Sequence, residues 1–109
     1  MRVKLLTTIA IMVILTGCGP EAPIKTTLSA LSGSQKDFDG RLVSVTGKLR
    51  TFVEPRHYWI ENESLDRVAL EGTINFEMLV SQTVKVKGMF RYSNETGRRI
   101  EVDELVAVE

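Results

Sequence analysis

The sequence predicts a small all-β domain, in which five strands and one short helix form a closed barrel behind an N-terminal export segment. From Asp37 onward, apolar residues recur with a period of two, which is typical of strands with one buried face. A pattern of two valines and a glycine also occurs twice, which indicates two strands bent in the same way. The chain has 109 residues and one cysteine, Cys18, so a single core without an internal disulfide must stabilise the domain.

The five strands follow one another along the chain, and each has a face of apolar residues. In the first strand, residues 42–53, the side chains of Val43, Val45 and Leu49 share one face. A polar turn joins the second and third strands, and Gly97 suits a hairpin between the fourth and fifth. The remaining strands are predicted at residues 57–61, 67–71, about 84–91 and 99–108.

One short helix is predicted between the third and fourth strands. Ile74, Met78 and Leu79 lie at positions i, i+4 and i+5 of an apolar segment, residues 74–80. We therefore expect one or two helical turns that plug an end of the barrel.

The repeated pattern, V-x-V-x-G, ends at Gly47 in the first strand and at Gly88 in the fourth. Glycine inside a strand marks a bulge or a sharp bend, and a small barrel needs such bends to close. The alternative interpretation is that two ordinary strands share the pattern by chance.

The predicted order of elements resembles the OB-fold, a five-stranded Greek-key barrel. It has a bent first strand, a meander through the first three strands, a short helix and a final hairpin. Residues 38–47, FDGRLVSVTG, and residues 81–88, SQTVKVKG, are similar to the tRNA-anticodon-binding-like OB domains of small bacterial lipoproteins. The resemblance covers about residues 24–109 and departs from the family pattern at Arg41, where lysine is more common. It implies the fold, whereas structural glycines and valines carry almost no information on activity.

The N-terminus has the order of a bacterial lipoprotein signal. Arg2 and Lys4 precede an apolar run at residues 5–15, and Leu-Thr-Gly-Cys at residues 15–18 resembles a lipobox. The run is too short for a stable membrane span, and a simple secretory signal that leaves a free thiol is the alternative. The lipobox resemblance implies that Cys18 carries diacylglycerol and an acyl chain such as palmitate, which anchors the protein stably in the membrane.

This signal divides the chain into three parts: a signal peptide at residues 1–17, a lipidated cysteine with a flexible tether at residues 18–36, and the barrel at residues 37–109. Ile24, Leu28 and Leu31 recur at helical spacing, so a short helix packed under the domain is an equal alternative to a tether. Gly19 stands where an aspartate resembles an inner-membrane retention signal, which favours the outer membrane, facing the periplasm.

The charge balance does not favour binding of a polyanion by the whole surface. The chain has 14 basic and 14 acidic side chains, and removal of Arg2 and Lys4 with the signal leaves 12 against 14, a formal charge of −2. Non-specific nucleic-acid binding depends on Lys and Arg that neutralise phosphates. A local basic stripe is still compatible with this composition.

The face of the second and third strands is where OB barrels usually bind ligands. Arginines and aromatics suit both base stacking and protein hot spots. Trp59 points outward if Tyr58 and Ile60 point inward, and otherwise it belongs to the core. Phe76 and Phe90 are predicted in the core, and Phe52 either there or on this face. The candidate ligand- or partner-binding residues are Arg50, Arg56, His57, Trp59, Arg67 and Tyr92.

No catalytic, metal-binding or cofactor site is predicted. His57 is the only histidine, so no metal set of the usual spacing exists, and Glu61, Glu63 and Asp66 are expected to lie solvated in a turn. We expect a lipoprotein bound to the membrane through Cys18 whose barrel is a non-catalytic module for an envelope protein partner. The alternatives are binding of single-stranded nucleic acid or another anionic polymer, and a purely structural role.

Overall fold

The computed structural model describes residues 22–108, and the predicted signal peptide and Cys18 lie outside these residues. Nine elements follow in chain order, and the five predicted strands correspond to β2–β6. Among residues 22–108, no helix is long and apolar enough to cross a membrane. The elements are β1 (Ile24–Lys25), α1 (Leu28–Gly33), α2 (Gln35–Phe38), β2 (Arg41–Val53), β3 (Arg56–Glu61), β4 (Arg67–Glu71), a 3-10 helix (Phe76–Leu79), β5 (Thr83–Ser93) and β6 (Gly97–Ala107).

The sheet closes on itself, which confirms the predicted small all-β barrel. Strands β2, β3 and β4 pair in sequence as an antiparallel meander. β4 then pairs with β6 in parallel, β6 pairs with β5, and β5 returns to β2. The two-residue strand β1 adds a short parallel pairing to β2. Closure gives most of the backbone groups in these strands a partner, which a short open sheet cannot do.

The two repeated glycines lie where the barrel bends. Lys48 pairs with both β3 and β5, so β2 changes partner immediately after Gly47. A Cβ at Gly47 would lie only 3.0 Å from Cβ of Ile60. Gly88 follows the irregularity in the β5–β6 register, and a Cβ there would collide with the carbonyl oxygen of Glu101. Both positions exclude a side chain because another strand approaches closely.

The core fills the barrel and contains no buried polar or charged residue among residues 22–108. The predicted 3-10 helix closes one end with Phe76, whose exposed fraction is 5%. Phe90 is fully buried, as expected from its strand parity. The buried apolar residues are Leu28, Leu31, Val43, Val45, Leu49, Ile60, Val68, Leu70, Phe76, Val84, Val86, Phe90, Ile100 and Val102.

The domain begins earlier than residue 37, so a flexible tether up to residue 36 is wrong for the part that the structure describes. Helix α1 packs against the barrel with Leu28 and Leu31, whose exposed fractions are 2% and 0%. The Thr27 hydroxyl caps the helix by accepting from the Ala30 N–H at 3.1 Å. The alternative of a docked helix is therefore correct, and its apolar residues add to a core that the strands alone leave open.

Candidate functional site

The outward side chains of β2, β3 and β4 form the main candidate site. Ile60 is fully buried, and the Tyr58 ring lies 5.2 Å from the Phe76 ring inside the barrel end. Because neighbouring strand residues alternate, Trp59 points outward and is half-buried. The open question of register is thus resolved. We call this surface the Trp59 face, and it consists of Arg50, Phe52, His57, Trp59, Glu61 and Arg67.

Glu61 holds the Trp59 face together. Its Oε1 accepts a hydrogen bond from Nε1 of Trp59 at 2.9 Å and lies 3.1 Å from Nε of Arg67. Its Oε2 lies 3.8 Å from Nε of Arg50. The Glu61 side chain is only 13% exposed, whereas the two arginine side chains are 46% and 54% exposed. One carboxylate therefore orients an indole and two guanidinium groups, and the cluster keeps one net positive charge.

Planar side-chain groups lie next to one another in a row across this face. The guanidinium carbon of Arg67 lies 5.2 Å from the centre of the Trp59 ring, in cation–π range. The His57 ring stacks on the same indole, with 5.2 Å between ring centres and 29° between planes. The Phe52 ring continues the row without stacking, since its centre lies 6.2 Å from that of His57 and its plane is tilted by 57°. Stacking of this kind suits a ligand or partner that offers a flat or apolar group.

Phe52 is exposed, so it belongs to the face and not to the core. Its exposed fraction is 54%, and that of its neighbour Val53 is 55%, at the tip of the β2–β3 hairpin. Within the hairpin, Nδ1 of His57 donates to the carbonyl oxygen of Pro55 at 2.7 Å. The hairpin tip therefore presents apolar surface beside a fixed imidazole ring.

Arg56 lies outside the Trp59 face, although the sequence placed it there. Its Nη1 lies 3.2 Å from Oε1 of Glu77, on the 3-10 helix. The Tyr58 hydroxyl donates to the same oxygen at 2.7 Å, and this hydrogen bond to a carboxylate raises the pKa of Tyr58. Arg56 thus fastens the 3-10 helix to the barrel end, because its parity in β3 is that of Tyr58.

Tyr92 is also separate from the face. Its backbone N–H donates to Oδ1 of Asp39 at 2.9 Å, and its hydroxyl donates to Oδ1 of Asn94 at 2.9 Å. It packs against the core near the β5–β6 hairpin. Of the six predicted residues, four come together: Arg50, His57, Trp59 and Arg67.

The turn after β3 is ordered by hydrogen bonds, and Asp66, which was predicted to be solvated there, is half-buried and hydrogen-bonded. Its Oδ2 accepts from Nδ2 of Asn62 at 3.0 Å and from the hydroxyl of Ser29 at 3.1 Å. The hydrogen bond from Asn62 is the main reason that the pKa of Asp66 lies below its ordinary value. The turn is thereby joined to α1.

A cleft of about 520 Å³ opens beside the Trp59 face. Glu61 belongs to both, so a partner that contacts the indole can also reach the cleft. Within residues 22–108, no group of three or more His, Cys, Asp or Glu side chains could hold a metal ion. The cleft is lined by Gly47, Lys48, Glu61, Asn62, Glu63, Leu65 and Thr83.

Glu61 is the member of the Trp59 face that sequence reasoning missed, since it was assigned to a solvated turn. Strand parity contained the signal, because Glu61 lies two residues after Trp59 and four after His57. Its two arginine partners lie on neighbouring strands. Arg67 is directly opposite Glu61 in β4, whereas Arg50 lies two residues beyond Lys48, the β2 residue opposite Glu61. That pairing could be read only once the strands were aligned.

Comparisons with known proteins identify the fold. A protein assigned as an aspartyl-tRNA synthetase from Leishmania major Friedlin superposes with a TM-score of 0.56 at 9% identity, covering 88% of this chain and 22% of that one. A DUF3299 family protein from Pseudomonas aeruginosa PAO1 superposes with a TM-score of 0.56 at 14% identity, covering 82% of this chain and 98% of that one. The domain is an OB-like barrel. No family model matches the chain, and no curated protein matches it.

This likeness shows the fold alone, because a shared fold at sequence identities of 9% and 14% does not imply a shared function. The OB-like barrel spans only 22% of the synthetase chain. It spans nearly the full length of the DUF3299 family protein.

Proposed function

We propose that this protein is a lipoprotein of the bacterial cell envelope, anchored through lipid on Cys18, whose OB-like barrel is a non-catalytic module that binds another envelope protein. The observation that carries the binding proposal is the row of planar groups formed by Phe52, His57, Trp59 and Arg67, with Phe52 and the Arg67 side chain each 54% exposed. The anchor is supported by the lipobox-like residues 15–18, and Gly19 favours the outer membrane.

The Trp59 face has the physical features of a protein hot spot. Trp and Arg are enriched among the interface residues whose replacement by alanine costs a complex most of its affinity. Glu61 fixes the edge of the indole and the guanidinium of Arg67 before any partner arrives. Binding then costs less side-chain entropy, about 0.5–1.5 kcal/mol for each long side chain that is already ordered. The exposed hairpin tip adds apolar area at the margin.

The proposal assigns no catalytic role to His57, the only histidine in the chain. Its Nδ1 donates to the Pro55 carbonyl, and its ring stacks on Trp59 with Phe52 tilted beside it. Neither contact supplies a nucleophile or a second acid or base beside it. Its geometry suits contact with a partner.

The test is photo-crosslinking in the envelope of a bacterial host. We expect p-benzoylphenylalanine at Phe52 to crosslink one envelope protein, and the same group at Met78, which is 75% exposed elsewhere on the domain, to give no such product. Trp59→Ala and Arg67→Ala should abolish the product. The matched control is Arg56→Ala, an arginine of 50% exposure that pairs with Glu77, which should retain it.

Thermal unfolding of each variant separates loss of the partner from loss of the fold. A crosslink that survives Trp59→Ala in a folded protein, or one that also forms at Met78, contradicts the proposed site. The anchor is tested separately by intact mass of the protein from membranes. A mature chain that starts at Cys18 and carries three acyl chains, absent in Cys18→Ala, is the expected result.

Single-stranded nucleic acid is the second candidate ligand, because stacked aromatics on this face of an OB barrel also suit bases. Glu61 argues against it, since its carboxylate lies between the two arginines that would meet phosphates. Trp59 is the only tryptophan, so its fluorescence reports directly on an added oligonucleotide. Quenching that falls steeply with salt supports nucleic-acid binding, and unchanged fluorescence at low salt excludes it.

A further inference from the structure

A second surface of the barrel, away from the hairpin tip, combines lysines with exposed valine. Lys25, Ser44, Lys87 and Glu104 lie in one row across β1, β2, β5 and β6. In the row beside it, Lys85 pairs with Val106, which is 42% exposed. We call this surface the Lys85 face, and it consists of Lys25, Lys85, Lys87 and Val106.

The lysines of the Lys85 face point to solvent. Val84 and Val86 are fully buried, so Lys85 and Lys87 project from the opposite side of β5. Lys87 is partly neutralised, because its Nζ lies 3.6 Å from Oε1 of Glu104. Within residues 22–108, no ion pair involves Lys25 or Lys85. Two ammonium groups beside an apolar side chain are therefore available to an anionic surface.

The chain enters the barrel through this face. Ile24 and Lys25 pair with Val43 and Ser44, so β1 is itself part of the surface. Ile24 lies only six residues after Cys18, and a fully extended chain of that length reaches about 20 Å. A lipid on Cys18 would therefore hold the Lys85 face close to the bilayer, which an 18-residue flexible tether would not do.

We propose that the Lys85 face contacts the bilayer and that its ligand is the anionic headgroup layer, with phosphatidylglycerol as the test lipid. This proposal rests on the proposed lipid anchor. Ammonium groups are attracted to such a surface, and Val106 can enter its outer edge. Phe52 lies nine residues beyond Val43, about 30 Å of strand, so the Trp59 face stays available to a partner.

The experiment uses the lipidated full protein in vesicles, with a thiol introduced by Val106→Cys and labelled with a fluorophore. Lipids that carry a nitroxide on the headgroup quench a label at the bilayer surface. The matched position is Glu95→Cys, in the exposed β5–β6 turn and ten residues from Lys85. We expect strong quenching at residue 106 and little at residue 95 in vesicles with about 30% phosphatidylglycerol, and weak quenching at both in neutral vesicles.

Two lysine variants test the charge. Removing one lysine near an anionic surface changes the ratio of docked to free domain about fivefold, so Lys25→Gln with Lys85→Gln should lower it about 25-fold. Lys36→Gln, on α2 and outside the Lys85 face, should leave quenching at residue 106 unchanged. Equal quenching in neutral vesicles, or equal quenching at residues 95 and 106, overturns the proposal.

The remaining outcomes are also decisive. A disulfide-linked dimer of Val106→Cys in both kinds of vesicle would assign the face to a second copy of the chain and reject the bilayer. A protein that is not retained by vesicles and takes up a second label on Cys18 would instead refute the lipid anchor. Failure of the anchor and failure of the Lys85 face therefore give different results.

Discussion

Replacing Leu31 by alanine removes three carbons from a side chain that is fully buried between α1 and the barrel. If α1 is part of the folded domain, this change must destabilise the barrel. If the segment were a tether, the same change would cost almost nothing. Leu31→Ala therefore tests where the domain begins.

The size of the effect follows from burial. Three buried carbons at about 0.8 kcal/mol each contribute about 2.4 kcal/mol of transfer free energy. The cavity left beside them raises the expected loss to about 3–4 kcal/mol, within the range measured for buried leucines. In a domain of this size, about 3 kcal/mol corresponds to a fall in Tm of roughly 12–24 °C.

The assay is urea unfolding followed by the fluorescence of Trp59, the only tryptophan. The free energy of unfolding is compared between the wild type, Leu31→Ala and a control, Met78→Ala, whose side chain is 75% exposed. The control should change stability by less than about 0.5 kcal/mol. A loss below about 1 kcal/mol for Leu31→Ala, with an unchanged denaturant slope, would refute the packing of α1 described above.

Three further predictions concern other parts of the barrel. Gly88→Ala should cost about 3 kcal/mol or more in urea unfolding, because its Cβ meets the backbone of β6, whereas Gly33→Ala, with open space around its Cβ, should be neutral or slightly stabilising. The pKa of Asp66 lies below its ordinary 3.8, so the ionised carboxylate stabilises the fold above that pH. The difference in free energy of unfolding between wild type and Asp66→Asn should therefore shrink as pH falls through the folded pKa. A difference that stays constant with pH would contradict this. Glu77→Gln should lower the pKa of Tyr58 toward 10.0 in a tyrosinate absorbance titration, and an unmoved titration would show that the hydrogen bond does not form.

Alternation along the strands was enough to predict much of the fold. The parity of Val43, Val45 and Leu49 predicted the inner face of β2, and all three are buried. The glycines of the repeated pattern predicted bends, and both lie where another strand approaches closely. These features are local, because side-chain direction in a strand depends on position alone. The segment before β5 was also recognisable as a short helix, but Phe76 is its buried residue, whereas Met78 of the predicted apolar spacing is 75% exposed.

The candidate site could be predicted only in part. Parity put His57, Trp59 and Arg67 within reach of one face, but Arg56 has the other parity in β3 and pairs with Glu77. Glu61 looked like a turn residue because its partners come from two other strands. A contact of this kind depends on register between strands, which no local pattern contains.

The sequence by itself determined that the chain forms strands with one apolar face, where β2 and β5 bend and which of their apolar residues face inward. Tertiary structure alone decided that α1 completes the core, that one carboxylate organises the Trp59 face and that the chain enters through the Lys85 face. The physical reason is the range of the interactions. Alternation acts between neighbours in the chain, whereas burial of Leu31 and the pairing of Glu61 need surfaces that exist only after the barrel has closed.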